Sequence, residues 1–139
     1  MRYLGLDLGT KTLGVSISDK LGIIANSLIV LRYDNEDYDY LINELKKIID
    51  EYSVNTIVLG YPKNMNNSIG EAAKRSLKFK EILEDKLNIL VVLEDERLSS
   101  VEANNIMIKH DISRKKRKES VDKVASTKIL QRFLDRRKD

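Results

Sequence analysis

Four carboxylates in three separated places stand out in this chain: Asp7, the adjacent pair Asp95 and Glu96, and Asp122. Asp7 sits inside the short apolar run Tyr3-Leu4-Gly5-Leu6-Asp7-Leu8-Gly9, which reads as a buried strand. Asp95 and Glu96 close a second such run, Ile89 to Leu93, and Asp122 reads as opening a helix near the C-terminus. An acid in a buried strand loses hydration unless a partner or a cation compensates it. Three such places brought together would offer hard oxygen ligands to Mg²⁺ or Mn²⁺. Two divalent ions about 3.5–4 Å apart serve phosphodiester hydrolysis by activating water, aligning its attack and relieving charge on the leaving oxygen. The pattern therefore singles out Asp7, Glu96 and Asp122 as catalytic carboxylates, with Asp95 an additional metal-ligand candidate, and it needs no protein general base.

Strand periodicity sharpens the roles. Leu4, Leu6 and Leu8 share one face, so Asp7 takes the other with Gly5 and Gly9, which leave space around it as a bridging ligand. Asp95 and Glu96 are neighbours and point to opposite faces if the strand continues. Glu96 is favoured for reach and Asp95 is kept as second choice. Plainer roles exist for each: Asp7 paired with Lys11 or Arg97, Asp95 and Glu96 paired with Arg97, and Asp122 as a favourable charge at a helix N-terminus.

The elements that must position these acids follow from hydrophobic patterning. Strands are expected at 3–8, 14–18 and 23–31, joined by short turns that suit antiparallel neighbours. Helical spacing of Leu41, Leu45, Ile48, Ile49 and Tyr52 gives a helix over 37–52. A strand at 54–60 ends at Tyr61 and the only proline, Pro62, and an Asn-rich loop covers 64–67. A helix at 69–86 and a strand at 89–94 come next. Ser99 and Glu102 have capping-box spacing for a helix to Lys109. After a basic loop, Ser120 can cap a last helix whose apolar side holds Val121, Val124, Ala125, Ile129, Leu130, Phe133 and Leu134. Small residues at Ala125 and Ser126 would let that helix approach the sheet closely. The order βββαβαβαα implies one α/β domain over residues 1–139, with a mixed five-stranded sheet and helices on both faces.

Charge and composition narrow the partners. The 139 residues carry a net charge of +3, unevenly placed: residues 113–138 hold 11 Lys or Arg against 3 acids, a net of +8. Such a basic end suits a polyanion. Arg114-Lys115-Lys116-Arg117-Lys118, read as a loop before Asp122, would clamp nucleic-acid backbone without sequence choice. In the Gly9-Thr10-Lys11-Thr12 turn, Lys11 and Thr12 are placed to meet a phosphate oxygen, and Arg97 could pair bidentately with the same anion. Few aromatics lie near the basic run, so base stacking gains little support. Cysteine is absent, which excludes disulfides and thiolate zinc. No apolar run approaches the roughly 20 residues that span a bilayer. A cytoplasmic protein with no membrane partner is expected.

The order of elements, with an acid on the first strand, looks like the ribonuclease H-like fold. Gly5 to Asp19 resembles the N-terminal signature of the YqgF family, also called RuvX. Gly60-Tyr61-Pro62-Lys63-Asn64-Met65 is similar to its Gly-Leu-Pro-rich loop. Asp95 to Ala103 resembles its Asp-Glu-Arg segment, and Lys116-Arg117-Lys118 with Val121 to Ser126 its basic loop and acid-bearing helix. The resemblance implies a Holliday-junction-resolvase-like nuclease implicated in maturing the 5′ end of pre-16S ribosomal RNA, with ribosomal precursor particles as a setting. The chain departs from the family at Thr12, where Arg is usual, after Asp122, where the paired small residues are usually Ala-Ala and here Lys123-Val124 intervene before Ala125-Ser126, and at Asn26-Ser27, which replace a proline. RNA is favoured over DNA. A four-way junction would call for a homodimer, whereas RNA processing allows a monomer. Two other functions compete. Asp7-Leu8-Gly9-Thr10 also resembles the first phosphate loop of sugar kinases, although no second phosphate loop is present. A nucleic-acid-binding module without catalysis would keep the basic run and need no metal.

Overall fold

The computed structural model describes residues 2–34, 37–61, 70–95 and 114–137, and of residues 114–124 the backbone alone. The expected loop at 64–67 and helix at 99–109 lie outside these residues, as do Pro62, Glu96 and Arg97. The observed elements are β1 (Tyr3–Leu8), β2 (Thr12–Ser18), β3 (Ala25–Arg32), α1 (Tyr38–Tyr52), β4 (Thr56–Tyr61), α2 (Glu71–Leu87), β5 (Leu90–Asp95) and α3 (Arg114–Arg136). The strands form one sheet in the order β3-β2-β1-β4-β5. β1 pairs antiparallel with β2, and β2 with β3, while β4 lies parallel to both β1 and β5. The mixed sheet inferred from the sequence is the one observed.

Each face of the sheet has its own core. Leu4, Leu6 and Leu8 of β1 join Leu13, Val15, Ile57 and Leu59 under Leu41 and Leu45 of α1 and Phe79 and Leu83 of α2. On the opposite face Tyr3 and Val58 pack with Ala25 and with Ile129, Leu130 and Leu134 of α3. The period-2 pattern of β1 thus sends its leucines to α1 and α2, and Tyr3, Gly5 and Asp7 to the α3 side.

Helix α3 approaches the sheet over Gly5. A Cβ on Gly5 would stand 2.4 Å from Ser16 Oγ and 2.7 Å from Leu130 Cβ, so only glycine fits. Ser16 Oγ donates to the Ser126 carbonyl at 3.0 Å, and Ser126 Oγ lies 3.1 Å from the Gly5 carbonyl, which it can donate to. Both serines are buried, so these bonds satisfy groups that would otherwise be costly inside. Further along, Phe133 meets the Tyr3 ring at a centroid distance of 5.5 Å, and the Arg137 guanidinium lies 4.8 Å from the same centroid. The C-terminal end of α3 therefore lies over the start of β1, and the helix runs antiparallel to that strand.

The start of α3 corrects the sequence reading. Asp122 does not open the helix, Ser120 does not cap it, and Arg114–Lys118 are not a loop: the helix is continuous from Arg114. Lys, Arg and Glu are good helix formers, and neither Gly nor Pro interrupts 114–136. The capping signal at Ser120 lost to that continuity.

The turn between β2 and β3 is organised by Asp19. Its Oδ1 accepts from the Ile23 and Ile24 amides at 2.7 and 3.1 Å. Gln131 of α3 adds bonds to the Ala25 amide and the Ile23 carbonyl, both at 2.9 Å. The Ile23 amide, followed by that of Ile24, holds the Asp19 carboxyl below its usual 3.8.

Two outcomes follow from this packing. Gly5→Ala should cost about 1–3 kcal/mol or more by overpacking, read as a lower urea midpoint at unchanged slope. Asp19→Ala should lower Tm at neutral pH. Because the folded pKa is depressed, the parent's advantage is full above the unfolded value near 3.8 and shrinks as pH falls below it, which melts by circular dichroism across pH 2–7 would trace.

Candidate active site

Parallel pairing brings the C-terminal ends of β1, β4 and β5 to one edge of the sheet, the edge at which α/β sheets commonly bind ligands. Asp7 lies near that edge, half-buried on the α3 side. Its partner across β2 is Gly14. On the other side, Gly60 follows the Leu6–Leu59 pair and so continues the same row on β4. Asp7 is thus flanked on both strands by residues without side chains, a setting in which a carboxylate can receive a cation.

β5 alternates as well. Val91 and Leu93 pack on the core beneath α1 and α2, and Asp95 continues that parity. Glu94 has the opposite parity, pairs in register with Gly60, and so shares the face of Asp7. The Asp95 backbone carbonyl accepts from Arg132 Nη1 at 3.1 Å. Glu94 is 1% exposed and forms an ion pair with Arg136. Its Oε2 is buried without a hydrogen-bond partner among the described residues. Burial pushes its carboxyl pKa up, while Arg136 and then Arg132 oppose that rise. Sequence reasoning passed over Glu94 because it ends an apolar run beside two more conspicuous acids. Parity along Val91, Leu93 and Asp95 was the signal that could have placed it opposite α3.

The remaining predicted residues fall as follows. Lys11 is exposed in the turn after β1, and the carbonyl of Lys11 accepts from the Tyr33 amide at 3.0 Å. Thr12 is 8% exposed, and its carbonyl accepts from the Gly9 amide at 2.8 Å. Tyr33 Oη donates to the Gly9 carbonyl, which ties this turn to the end of β3. Backbone positions 114–118 form the first turns of α3, and position 122 lies one turn before Ser126. Glu96 and Arg97 follow β5 in the chain, outside the described residues. Among the described residues no group of three or more metal-ligating side chains forms, and no helix is long and apolar enough to cross a membrane. An open depression lined by Arg2, Lys20, Glu51, Tyr52, Ser53 and Asn55 lies at the other end of β1. There Arg2 is engaged by the Tyr52 ring and carbonyl.

Comparison with known proteins agrees with this architecture. A family model, RuvX, described as Holliday junction resolvase, matches residues 1–136. A protein of Geobacillus sp. (strain WCH70) named "Putative pre-16S rRNA nuclease" is 50% identical over 135 residues, covering 97% of this chain and 98% of that protein. One of the same name from Clostridium botulinum (strain Alaska E43 / Type E3) is 52% identical over 136 residues, 98% of each chain. Among solved structures, T. thermophilus RuvC in complex with a Holliday junction substrate aligns with a TM-score of 0.58 at 12% identity, covering 99% of this chain and 95% of RuvC. Fowlpox virus resolvase with its junction DNA gives 0.58 at 12% identity and covers 100% of both chains. These two share the ribonuclease H-like fold with this protein. Identity over nearly the full length of the relatives, together with the family match, establishes that the chain belongs to the RuvX family.

Proposed function

We propose that this protein is a metal-dependent endonuclease that hydrolyses phosphodiester bonds in the 5′-end processing of pre-16S ribosomal RNA in the cytoplasm. The observation that carries this reading is Asp7, half-buried between Gly14 and Gly60 at the C-terminal edge of the parallel strands and facing α3. Relatives named for pre-16S rRNA and about half identical over nearly their whole length favour RNA as substrate.

The donor set suits Mg²⁺ or Mn²⁺: oxygen ligands only, beside glycines that leave room for an ion with part of its water shell. Asp7, Glu96 and Asp122 would hold it. Stepping from Gly5 to Asp7 advances about 6.6 Å along the strand, and stepping back from Ser126 to 122 retreats about 6 Å along the antiparallel helix. The contact of Ser126 with Gly5 therefore supports a meeting of Asp7 with Asp122. The parity of β5 favours Glu96 over Asp95 as the third ligand. When bound, the ions supply a lowered pKa for water and charge relief at the phosphodiester. The chain's own residues orient and hold the substrate. Lys11 is the exposed cation of the β1–β2 turn, and Thr12 shapes that turn from within. Arg114, Lys115, Lys116, Arg117 and Lys118 begin roughly 6 Å beyond position 122 along α3 and offer cations to the backbone. Arg97 would add a bidentate contact.

The family description as Holliday junction resolvase supports a second reading, cleavage of four-way DNA junctions, for which two symmetric cuts call for a homodimer. Cleavage of a labelled ribosomal precursor and of a junction should be compared in the same Mg²⁺ buffer, with stronger activity expected on RNA. Asp7→Asn should lower cleavage by roughly 10²–10³-fold, the equivalent of several kcal/mol of lost charge stabilisation, while binding persists. Binding should weaken by roughly 10²-fold between about 50 and 200 mM salt. An Asp7→Asn protein that cleaves as well as the parent would overturn the nuclease assignment.

A further inference from the structure

Two arginines one helical turn apart, Arg132 and Arg136, leave α3 for the same place, the last two residues of β5. Arg132 reaches the backbone carbonyl of Asp95, and Arg136 reaches the carboxylate of Glu94. The acid is enclosed, at 1% exposure, while the Arg136 side chain stays at the rim, 61% exposed. An enclosed ion pair is a poor way to gain stability, since an apolar pair of similar volume usually does as well or better. What it supplies is fixed geometry. Among the described residues β5 is an edge strand, held laterally by β4 alone. Backbone pairing with β4 sets its register but does little to hold its end at a given height above the sheet. The two arginines act in that direction, toward the helix, and they act on residues 94 and 95, immediately before Glu96.

We propose that Arg132 and Arg136 are positioning residues, tying the end of β5 to α3, the two elements from which Glu96 and Asp122 would be supplied to the proposed metal site. This rests on the metal-nuclease reading above. The contact over Gly5 sets the backbone of α3 against β1. The arginine pair references the end of β5 to the same helix. Asp122 lies ten residues before Arg132, about 15 Å along a continuous helix, so the coupling runs through a stiff element. Ligand constellations tolerate errors of only about 0.5 Å, and supporting contacts of this kind typically change metal affinity or activity by about 10–100-fold.

The test uses the full chain and two readouts: Mn²⁺ binding without substrate, followed by electron paramagnetic resonance, and RNA cleavage kinetics. The double variant Glu94→Met with Arg136→Gln removes both charges and leaves no enclosed acid unpaired. It should bind Mn²⁺ about ten-fold more weakly and show a lower kcat, with KM for RNA unchanged. Arg136→Lys, which keeps the ion pair, should recover most of the Mn²⁺ affinity. If the double variant fails to fold, Arg132→Ala removes a single hydrogen bond and should weaken Mn²⁺ by about three-fold, a share of the same support. A folded variant with parental Mn²⁺ affinity overturns the proposal, even if its Tm falls. Asp7→Asn separates the two levels. If it loses Mn²⁺ binding and cleavage while the arginine variants keep both, the positioning role alone is wrong; if it keeps both, the metal site and the positioning role fall together.

Discussion

The constraint on which the rest of this structure depends is the close approach of α3 to β1 over Gly5. A side chain there would displace Ser16 or Leu130, and the helix would ride outward. Ser16 and Ser126 turn that approach into a defined seat, since each satisfies its buried hydroxyl on a backbone carbonyl of the facing element. A purely apolar contact of the same area would stabilise as well but would tolerate sliding, because dispersion and burial are not directional. Hydrogen bonds fix the helix along its axis as well as in height. The position of every residue that α3 carries is referenced to that seat.

The sheet supplies the complementary half. Along β1 its leucine face, covered by α1 and α2, is apolar, whereas the α3 face changes character from Tyr3 through Gly5 to Asp7. Burial of Tyr3 and Val58 under Ile129, Leu130 and Leu134 anchors one end. The other end leaves a carboxylate between glycines. The distribution of charge runs the same way, with a mildly acidic body and a strongly basic last helix. Attraction between the two would assist docking of α3 and still leave cations for a polyanion at its start.

Much of this was legible in the residues. Alternation in Leu4-Gly5-Leu6-Asp7-Leu8 needed only strand geometry to place Asp7 opposite the leucines, and the observed cores agree. The small residues Ala125 and Ser126 announced a tight helix–sheet contact, and Ser126 makes it. Two features were hidden for identifiable reasons. The start of α3 was obscured because Ser120 offers a local cap, and a run of five cations resembles a solvated loop when its neighbours in space are unknown. Glu94 was obscured because its partners, Arg136 and Arg132, lie about forty residues away in sequence, and no local pattern announces an ion pair at that range. The metal-ligand assignment of Glu96 rests on chain parity and family context, since position 96 lies beyond the described end of β5.

The bond from Ser126 to Gly5 spans 121 positions of sequence. At elongation rates of about 5–20 residues per second, Gly5 leaves the ribosome's catalytic centre roughly 6–24 s before its serine partner is even synthesised. During that interval β1 to β5 and the helices on the leucine face can already associate, while Tyr3, Val58 and Asp7 await their cover. A nascent chain therefore carries the α3 side of its sheet uncovered until that helix has been made.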